Sequence, residues 1–197
     1  MTKLKQQIEE VRAGATRPSC FQDILDLQKK LGKILEPRQT RPRTLTDICL
    51  SAIAECIEFN EATKESHKTW KEKPFNELEM KKEAIDILFF FAQLLNNEKT
   101  EEGVLEEVEE YFYSNVKEMP FYRIEHSIKE CTIRLIRRFG RLAIDYHQKK
   151  FSIGDVNFIL VELGQIFGFL RMDYEEVLAM YWDKWNENLD RIGEEWN

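Results

Sequence analysis

The segment that decides the fold is residues 48–59, which reads Ile-Cys-Leu-Ser-Ala-Ile-Ala-Glu-Cys-Ile-Glu-Phe. Its only polar residues, Ser51, Glu55 and Glu58, recur at helical spacing and form one narrow line along a helix that is otherwise apolar. A helix at the surface of a bundle carries a much wider polar face. The segment therefore predicts a helix that lies at the centre of a helical bundle.

A second segment, residues 83–95, has the same character and reads Glu-Ala-Ile-Asp-Ile-Leu-Phe-Phe-Phe-Ala-Gln-Leu-Leu. Glu83 and Asp86 are three residues apart and lie on one face of the predicted helix, where Gln93 is the only other polar group. A carboxylate in apolar surroundings is unfavourable unless it is paired, hydrogen-bonded or bound to a metal. These two acidic residues therefore need a partner.

An antiparallel hairpin of the two helices would bring the two carboxylate pairs face to face. Four carboxylates on facing helices form an all-oxygen site that suits Mg²⁺, with Mn²⁺ as the alternative ion. A buried salt-bridge network is the competing interpretation. Its cations would be Lys64, Lys68 or an arginine of residues 134–138.

Helical periodicity and capping signals extend this pattern to the rest of the chain. Counted from the capping residue where there is one, the predicted helical segments are residues 21–36, 44–68, 76–96, 100–114, 121–148, 152–170 and 173–191. No segment shows the alternation of a strand. The sequence predicts an all-α fold, a helical bundle built round an antiparallel pair of metal-binding helices. Gly164 and Gly168 predict close helix packing, with a dimer interface as one location.

Composition and charge exclude several classes of protein. The chain has 197 residues, 29 Lys plus Arg and 36 Asp plus Glu, and a net charge of −7. This net negative charge argues against a protein that binds nucleic acid through bulk positive charge. No apolar run is long enough for a membrane span, and the N-terminus lacks the apolar core of a signal peptide. The four cysteines lack metal-site spacing, so we expect reduced thiols and a cytoplasmic protein.

Several motifs point to a known family. E-x-x-E at Glu55–Glu58 is followed, after a spacer, by E-x-x-D at Glu83–Asp86. Thr69-Trp70-Lys71 lies between these two motifs, residues 181–191 form a closing Lys/Asn/Arg motif, and residues 25–31 form a Gln-containing first helix. Together they resemble the all-α nucleoside triphosphate pyrophosphohydrolases (MazG-like proteins), and within them the dimeric dUTPase and phage dCTPase branch.

The resemblance covers residues 21–95 and 155–196, and it implies a single domain over residues 1–197. In such a domain, residues 97–150 would be a variable helical insertion. It also implies Mg²⁺-dependent hydrolysis of a nucleoside triphosphate, dUTP or dCTP above all, to the monophosphate and pyrophosphate. The protein would act as a homodimer.

The resemblance further implies three sets of site residues. They are the metal ligands and catalytic residues Glu55, Glu58, Glu83 and Asp86, the phosphate and sugar contacts Lys71, Lys184, Asn188 and Arg191, and the base contacts Gln28 and Trp70. One of the glutamates would also orient or deprotonate the attacking water.

Four residues depart from the pattern of the branch. They are Gly32, Phe89, Trp185 and Ile192. Gly32 occupies the position of an expected base-reading Asn or Gln. These departures motivate a second hypothesis, in which the chain is a catalytically degenerate helical module that binds a nucleotide or a protein partner.

Overall fold

The computed structural model describes residues 3–64, 66–70, 74–96, 103–117, 127–145 and 151–195. Within these ranges the chain forms eight α-helices and no extended strand, which confirms the all-α prediction. The helices are α1 (Lys3–Ala13), α2 (Phe21–Leu35), α3 (Leu45–Ala62), α4 (Glu77–Leu95), α5 (Val104–Phe112), α6 (Ile128–Asp145), α7 (Ile153–Phe169) and α8 (Tyr174–Glu195). A 3-10 turn, Glu36–Arg38, follows α2, and a π-helical segment, Tyr113–Lys117, follows α5.

Side-chain caps fix the starts of the helices where the sequence predicts them. Thr44 and Asp47 form a reciprocal capping box at α3, and Ser152 forms another at the start of α7. The side chain of Asn76 accepts hydrogen bonds from two backbone N–H groups in the first turn of α4. Asp173 accepts from the third N–H of α8. Each cap satisfies N–H groups that have no partner within the helix.

Helix α3 ends at Ala62, earlier than the predicted end near residue 68. Asn60 is the reason. Its side-chain oxygen accepts the backbone N–H of His67 at 3.0 Å, and its backbone carbonyl accepts the hydroxyl of Thr63 at 2.8 Å. These bonds turn the chain back at a point where apolar periodicity alone does not show an end.

The central position predicted for α3 is only partly correct. α4 packs along one side of α3 and α6 along another. Leu50 is 56% exposed and Ile57 is 41% exposed, so a third side of α3 is open in the single chain.

The N-terminal helix α1 was not predicted from the sequence. Ile8 is its one buried residue, and Leu4 and Val11 are partly buried against the core one turn to either side. The apolar stripe is therefore only three residues long, too short to be recognised in the sequence. It packs against α8 and α2, and Arg12 forms an ion pair with Asp190 of α8.

The described parts of residues 97–150 are helical and belong to the bundle. α6 packs against α3 and α7, and α5 packs against α7 and α2. Helix α6 therefore supports a helix that carries predicted metal ligands. The variable character of this region stays a prediction.

Close packing at Gly164 is confirmed, but it occurs within the chain. A Cβ atom at this position of α7 would lie 2.2 Å from the backbone carbonyl oxygen of Asn115 in the π-helical segment. A dimer interface is therefore the wrong location for this glycine.

Among the described residues, no single helix is both long and apolar enough to cross a membrane. One pair, α7 and α8, passes the test of length and composition together, but the two helices meet at 101°. The four cysteines are free thiols, as predicted.

Candidate metal centre

Three carboxylates meet between α3 and α4. One oxygen from each of Glu55, Glu58 and Glu83 can be chosen so that all three lie within 4.8 Å of one another. Glu55 and Glu58 share one face of α3 because they are three residues apart, and Glu83 projects from the first half of α4. The face-to-face placement predicted for the hairpin is therefore observed.

Asp86 lies one turn beyond Glu83 on α4 and is only 7% exposed. Its Oδ2 accepts a hydrogen bond from Nζ of Lys184 on α8 at 2.5 Å. Its Oδ1 is buried and has no hydrogen-bond partner in the part of the chain that the structure describes. Since a buried carboxylate oxygen without a partner is unfavourable, this atom is suited to contact a cation.

The electrostatics of the cluster also favour a cation. Burial, followed by the negative charges of Asp86, Glu58 and Glu83, raises the pKa of Glu55 to about 7. Burial, followed by Asp86 and Glu58, likewise raises the pKa of Glu83 to about 7. Burial raises the pKa of Asp86 as well, although Lys184 opposes that shift. Without a metal, the cluster therefore holds protons near neutral pH that a divalent cation would displace.

The donor set fits Mg²⁺. All the converging groups are carboxylate oxygens, the hard ligands that Mg²⁺ and Mn²⁺ prefer, and no thiol or imidazole is among them. Glu58 is exposed, so the cluster is open on one side for water or substrate.

The salt-bridge network predicted as an alternative is not observed. Lys68 pairs with Glu61 and Arg134 pairs with Glu162. Among the described residues, no cationic side chain lies within 4.0 Å of the three clustered glutamates. The ion pair between Asp86 and Lys184 is the contact that the sequence did not reveal, because the two residues are 98 positions apart.

Three of the four predicted phosphate and sugar contacts, Lys184, Asn188 and Arg191, recur at helical spacing along α8. Lys184 is already engaged with Asp86, and its side chain is 15% exposed. Arg191 is exposed, and its charge lowers the pKa of Asp86, which places it on the side of the cluster. Asn188, which lies between Lys184 and Arg191 in the sequence, is half-buried. Lys71 lies outside the described residues.

The two predicted base contacts occupy different environments. Gln28 is buried on α2, where its Oε1 accepts a hydrogen bond from the hydroxyl of Tyr181 at 3.1 Å. Trp70 lies in the connection between α3 and α4 and is 74% exposed. The structure ties Gln28 to the core and leaves Trp70 open to solvent.

Three of the four departures from the branch pattern are core residues. Trp185 is fully buried, and its Nε1 donates to the carbonyl of Leu27 at 2.8 Å. Phe89 packs on the ring of Tyr181, with centroids 5.7 Å apart, and Ile192 is buried. These substitutions contribute to packing, so they do not by themselves indicate a lost site.

The sequence suggested only that the basic loop ending at Arg43 could reach a triphosphate, and it did not show which residues Arg43 contacts. Arg43 donates to Oγ of Ser51 on α3 and to Oε1 of Gln93 on α4. Ser51 and Gln93 were recognisable as the polar residues of their helices. Nothing in the local sequence links them to Arg43.

The fold and the site together define an all-α protein with a carboxylate cluster between two antiparallel helices. A family model described as dUTPase matches residues 20–196, and the chain belongs to this all-α dUTPase family. The family implies a hydrolase that acts on nucleoside triphosphates, and enzymes of this type generally use divalent metals. No curated protein and no solved structure matches the chain at a significant level.

Proposed function

We propose that the protein hydrolyses a deoxynucleoside triphosphate, dUTP or dCTP, to the monophosphate and pyrophosphate in a Mg²⁺-dependent reaction. The observation that carries this proposal is the cluster of Glu55, Glu58 and Glu83 beside the unpartnered Oδ1 of Asp86. The chain would act as one domain in the cytoplasm, with residues 97–150 as a variable insertion. Mn²⁺ is the alternative ion that would support the same reaction.

The metal, when bound by these four carboxylates, would neutralise phosphate charge and lower the pKa of a bound water. Glu55 is half-buried and its pKa is raised to about 7, so it is suited to take a proton from the attacking water. Lys184 holds Asp86 in place through their hydrogen bond. Arg191, Asn188 and Lys71 would contact the phosphates and the sugar.

Base recognition is proposed for Gln28 and Trp70. Because Tyr181 occupies the amide oxygen of Gln28, the amide N–H₂ group is the part of this side chain that remains for a base. An exposed indole such as that of Trp70 can stack on any base. Since stacking on Trp70 does not distinguish bases, the choice between dUTP and dCTP would depend on hydrogen bonds made by Gln28 and its neighbours.

The experiment that tests the function is a panel of deoxy- and ribonucleoside triphosphates with Mg²⁺, scored for pyrophosphate release and repeated with EDTA. We expect release from dUTP, dCTP or both, and none with EDTA. A rise in melting temperature with Mg²⁺, without hydrolysis of any nucleotide, would instead support the degenerate binding module.

The pH dependence of metal binding follows from the two raised pKa values. Glu55 and Glu83 titrate at about 7, and a protonated carboxyl is a poor metal ligand. Mg²⁺ affinity is therefore expected to fall as the pH decreases through 7 and to level off above it. Calorimetry at about pH 6 and about pH 8, in buffers of different ionisation enthalpy, would detect both the change in affinity and the released protons. Equal affinity at both pH values would contradict the assignment.

The protein would form a homodimer, and the support is an apolar surface on α3 and α6. These helices lie side by side, and Thr46 of α3 donates to the carbonyl of Ala143 on α6 at 3.3 Å. Ile133 is 61% exposed on α6, in addition to the exposed residues Leu50 and Ile57 of α3. Exposed apolar surface shared by two helices is typical of a protein–protein interface.

We expect Ile133→Glu to convert the dimer into a monomer, because a charge would be buried at the interface. Leu78→Glu is a matched control, since Leu78 of α4 is 58% exposed and Ile133 is 61% exposed. Light scattering after gel filtration measures the mass of both variants. A monomer from Leu78→Glu and a dimer from Ile133→Glu would place the interface elsewhere.

A further inference from the structure

A cavity of about 710 Å³ lies between the second half of α2, the loop of residues 39–43 and the end of α4. Its charged lining residues are Lys29, Lys33, Glu36, Arg41 and Arg43. Four of these five side chains are cationic. The remaining polar lining is mostly amide or hydroxyl, so the cavity is rich in hydrogen-bond donors and its volume is that of a small-molecule site.

Arg43 is the most unusual of these cations because it is half-buried without a directly bound counter-charge. Its guanidinium donates to Oε1 of Gln93 at 3.1 Å and to Oγ of Ser51, and it lies 5.1 Å from the ring centroid of Phe90. All of these partners are neutral. No carboxylate of the described residues lies within 4.0 Å of it. Burial lowers the pKa of Arg43, and the more distant charge of Asp47, which is bound to Arg41, offsets that shift only in part.

The neighbouring Arg41, unlike Arg43, has a carboxylate partner. It forms two hydrogen bonds with the carboxylate of Asp47, at 2.5 Å and 2.7 Å, so its charge is neutralised. The two hydrogen bonds of Arg43 use two of the five N–H groups of a guanidinium. Lys33 is exposed and likewise has no carboxylate within 4.0 Å among the described residues.

We propose that this cavity binds the phosphate group of a small molecule, with Arg43 as its principal contact and Lys33 beside it. A guanidinium matches phosphate oxygens in geometry and charge, and a bound phosphate would supply the counter-charge that Arg43 lacks. The residues of the carboxylate cluster do not line the cavity, but Gln28, the proposed base contact, does. The proposal therefore adds a phosphate contact beside the proposed base site, and in that respect it rests on the proposed function.

The phosphate could belong to the nucleotide substrate or to a second phosphorylated molecule. Ser51 lies one turn before Glu55 on α3, and Gln93 lies about two turns after Asp86 on α4. Arg43 is therefore roughly 6–10 Å along the helices from the cluster, within reach of one triphosphate chain. Kinetics separate the two sources. If the phosphate is the substrate's own, Arg43→Gln raises KM, whereas KM is unchanged if a separate molecule binds.

The test is calorimetric titration of the full chain with pyrophosphate in the presence of EDTA. We expect binding to the wild-type protein, weakened about tenfold or more by Arg43→Gln, since a charge-assisted contact is lost. Lys33→Gln should weaken it by a smaller factor. Because Lys33 is exposed, its substitution leaves the core unchanged, so weaker binding by this variant would not come from misfolding. Lys30→Gln is the charge-matched control on the same helix, outside the cavity lining, and should bind as the wild type does.

Glu83→Gln separates this proposal from the proposed function. It alters the carboxylate cluster and leaves the cavity intact, so pyrophosphate binding in EDTA should persist in this variant. Absence of binding to the wild type, equal binding by Arg43→Gln, or loss of binding in Glu83→Gln would each overturn the proposal.

Discussion

Glu83→Gln is expected to abolish nucleoside triphosphate hydrolysis and to raise the melting temperature of the metal-free protein at about pH 8. The amide keeps the shape of the side chain but removes the negative charge from the cluster. Loss of one of the converging carboxylates would cost at least about 10³-fold in turnover, because charge neutralisation carries most of the rate in phosphoryl chemistry.

The stability gain should depend on pH. The pKa of Glu83 in the folded protein is about 7, against a model value of 4.5. The wild type is therefore penalised for an ionised Glu83 above pH 7, and this penalty disappears as the pH falls below about 4.5, where both states are protonated. The advantage of Glu83→Gln should be full above pH 7 and absent in acid. Glu107→Gln, an exposed site on α5, controls for the loss of one charge.

Asp86→Asn should also abolish turnover, but it should destabilise the fold. Lys184 would keep its charge in a position where its side chain is only 15% exposed, without the carboxylate that pairs with it. Breaking a buried pair by removing one partner costs about 3–5 kcal/mol. Thermal unfolding of the two variants should therefore shift in opposite directions. Loss of the fold in both would contradict the description of the cluster as a metal site.

Gly164→Ala is expected to cause the largest loss of stability. The added methyl would lie 2.2 Å from the carbonyl oxygen of Asn115, a backbone atom that cannot rotate away. Either α7 or the π-helical segment must shift, so we expect a cost of at least about 3 kcal/mol and a fall in melting temperature of roughly 6–12 °C.

Gly140→Ala is the matched control, because Gly140 is also inside a helix but nothing lies within 4 Å of its added Cβ. Alanine there should stabilise α6 by about 0.5–1 kcal/mol, through a more favourable helix propensity. Calorimetric unfolding of both variants would measure the contrast. Similar melting temperatures for the two would show that the close approach at Gly164 is not a constraint.

The predictable part of the fold rests on local signals. The caps at Thr44, Asn76 and Ser152 and the stripes between them depend on residues a few positions apart, so the sequence shows them directly. The face-to-face glutamates also follow, because two consecutive helices that are apolar elsewhere pack with their narrow polar lines facing each other.

The unpredicted part rests on contacts between distant residues. Lys184 meets Asp86 across 98 positions and Arg43 meets Gln93 across 50, and neither pairing leaves a local pattern. The early end of α3 depends on Asn60 accepting from His67 across a turn. The exposure of Leu50 and Ile57 on α3 was missed for a different reason. An apolar residue looks the same in the sequence whether its own chain or a second copy covers it.

The most direct test of the central claim is the stoichiometry of products from dUTP and dCTP with Mg²⁺. Ion-exchange separation of the products, alongside the Glu83→Gln variant, would measure it. We expect one pyrophosphate for each monophosphate formed by the wild type, and none from the variant. Inorganic phosphate with a diphosphate product, or equal turnover by Glu83→Gln, would contradict it.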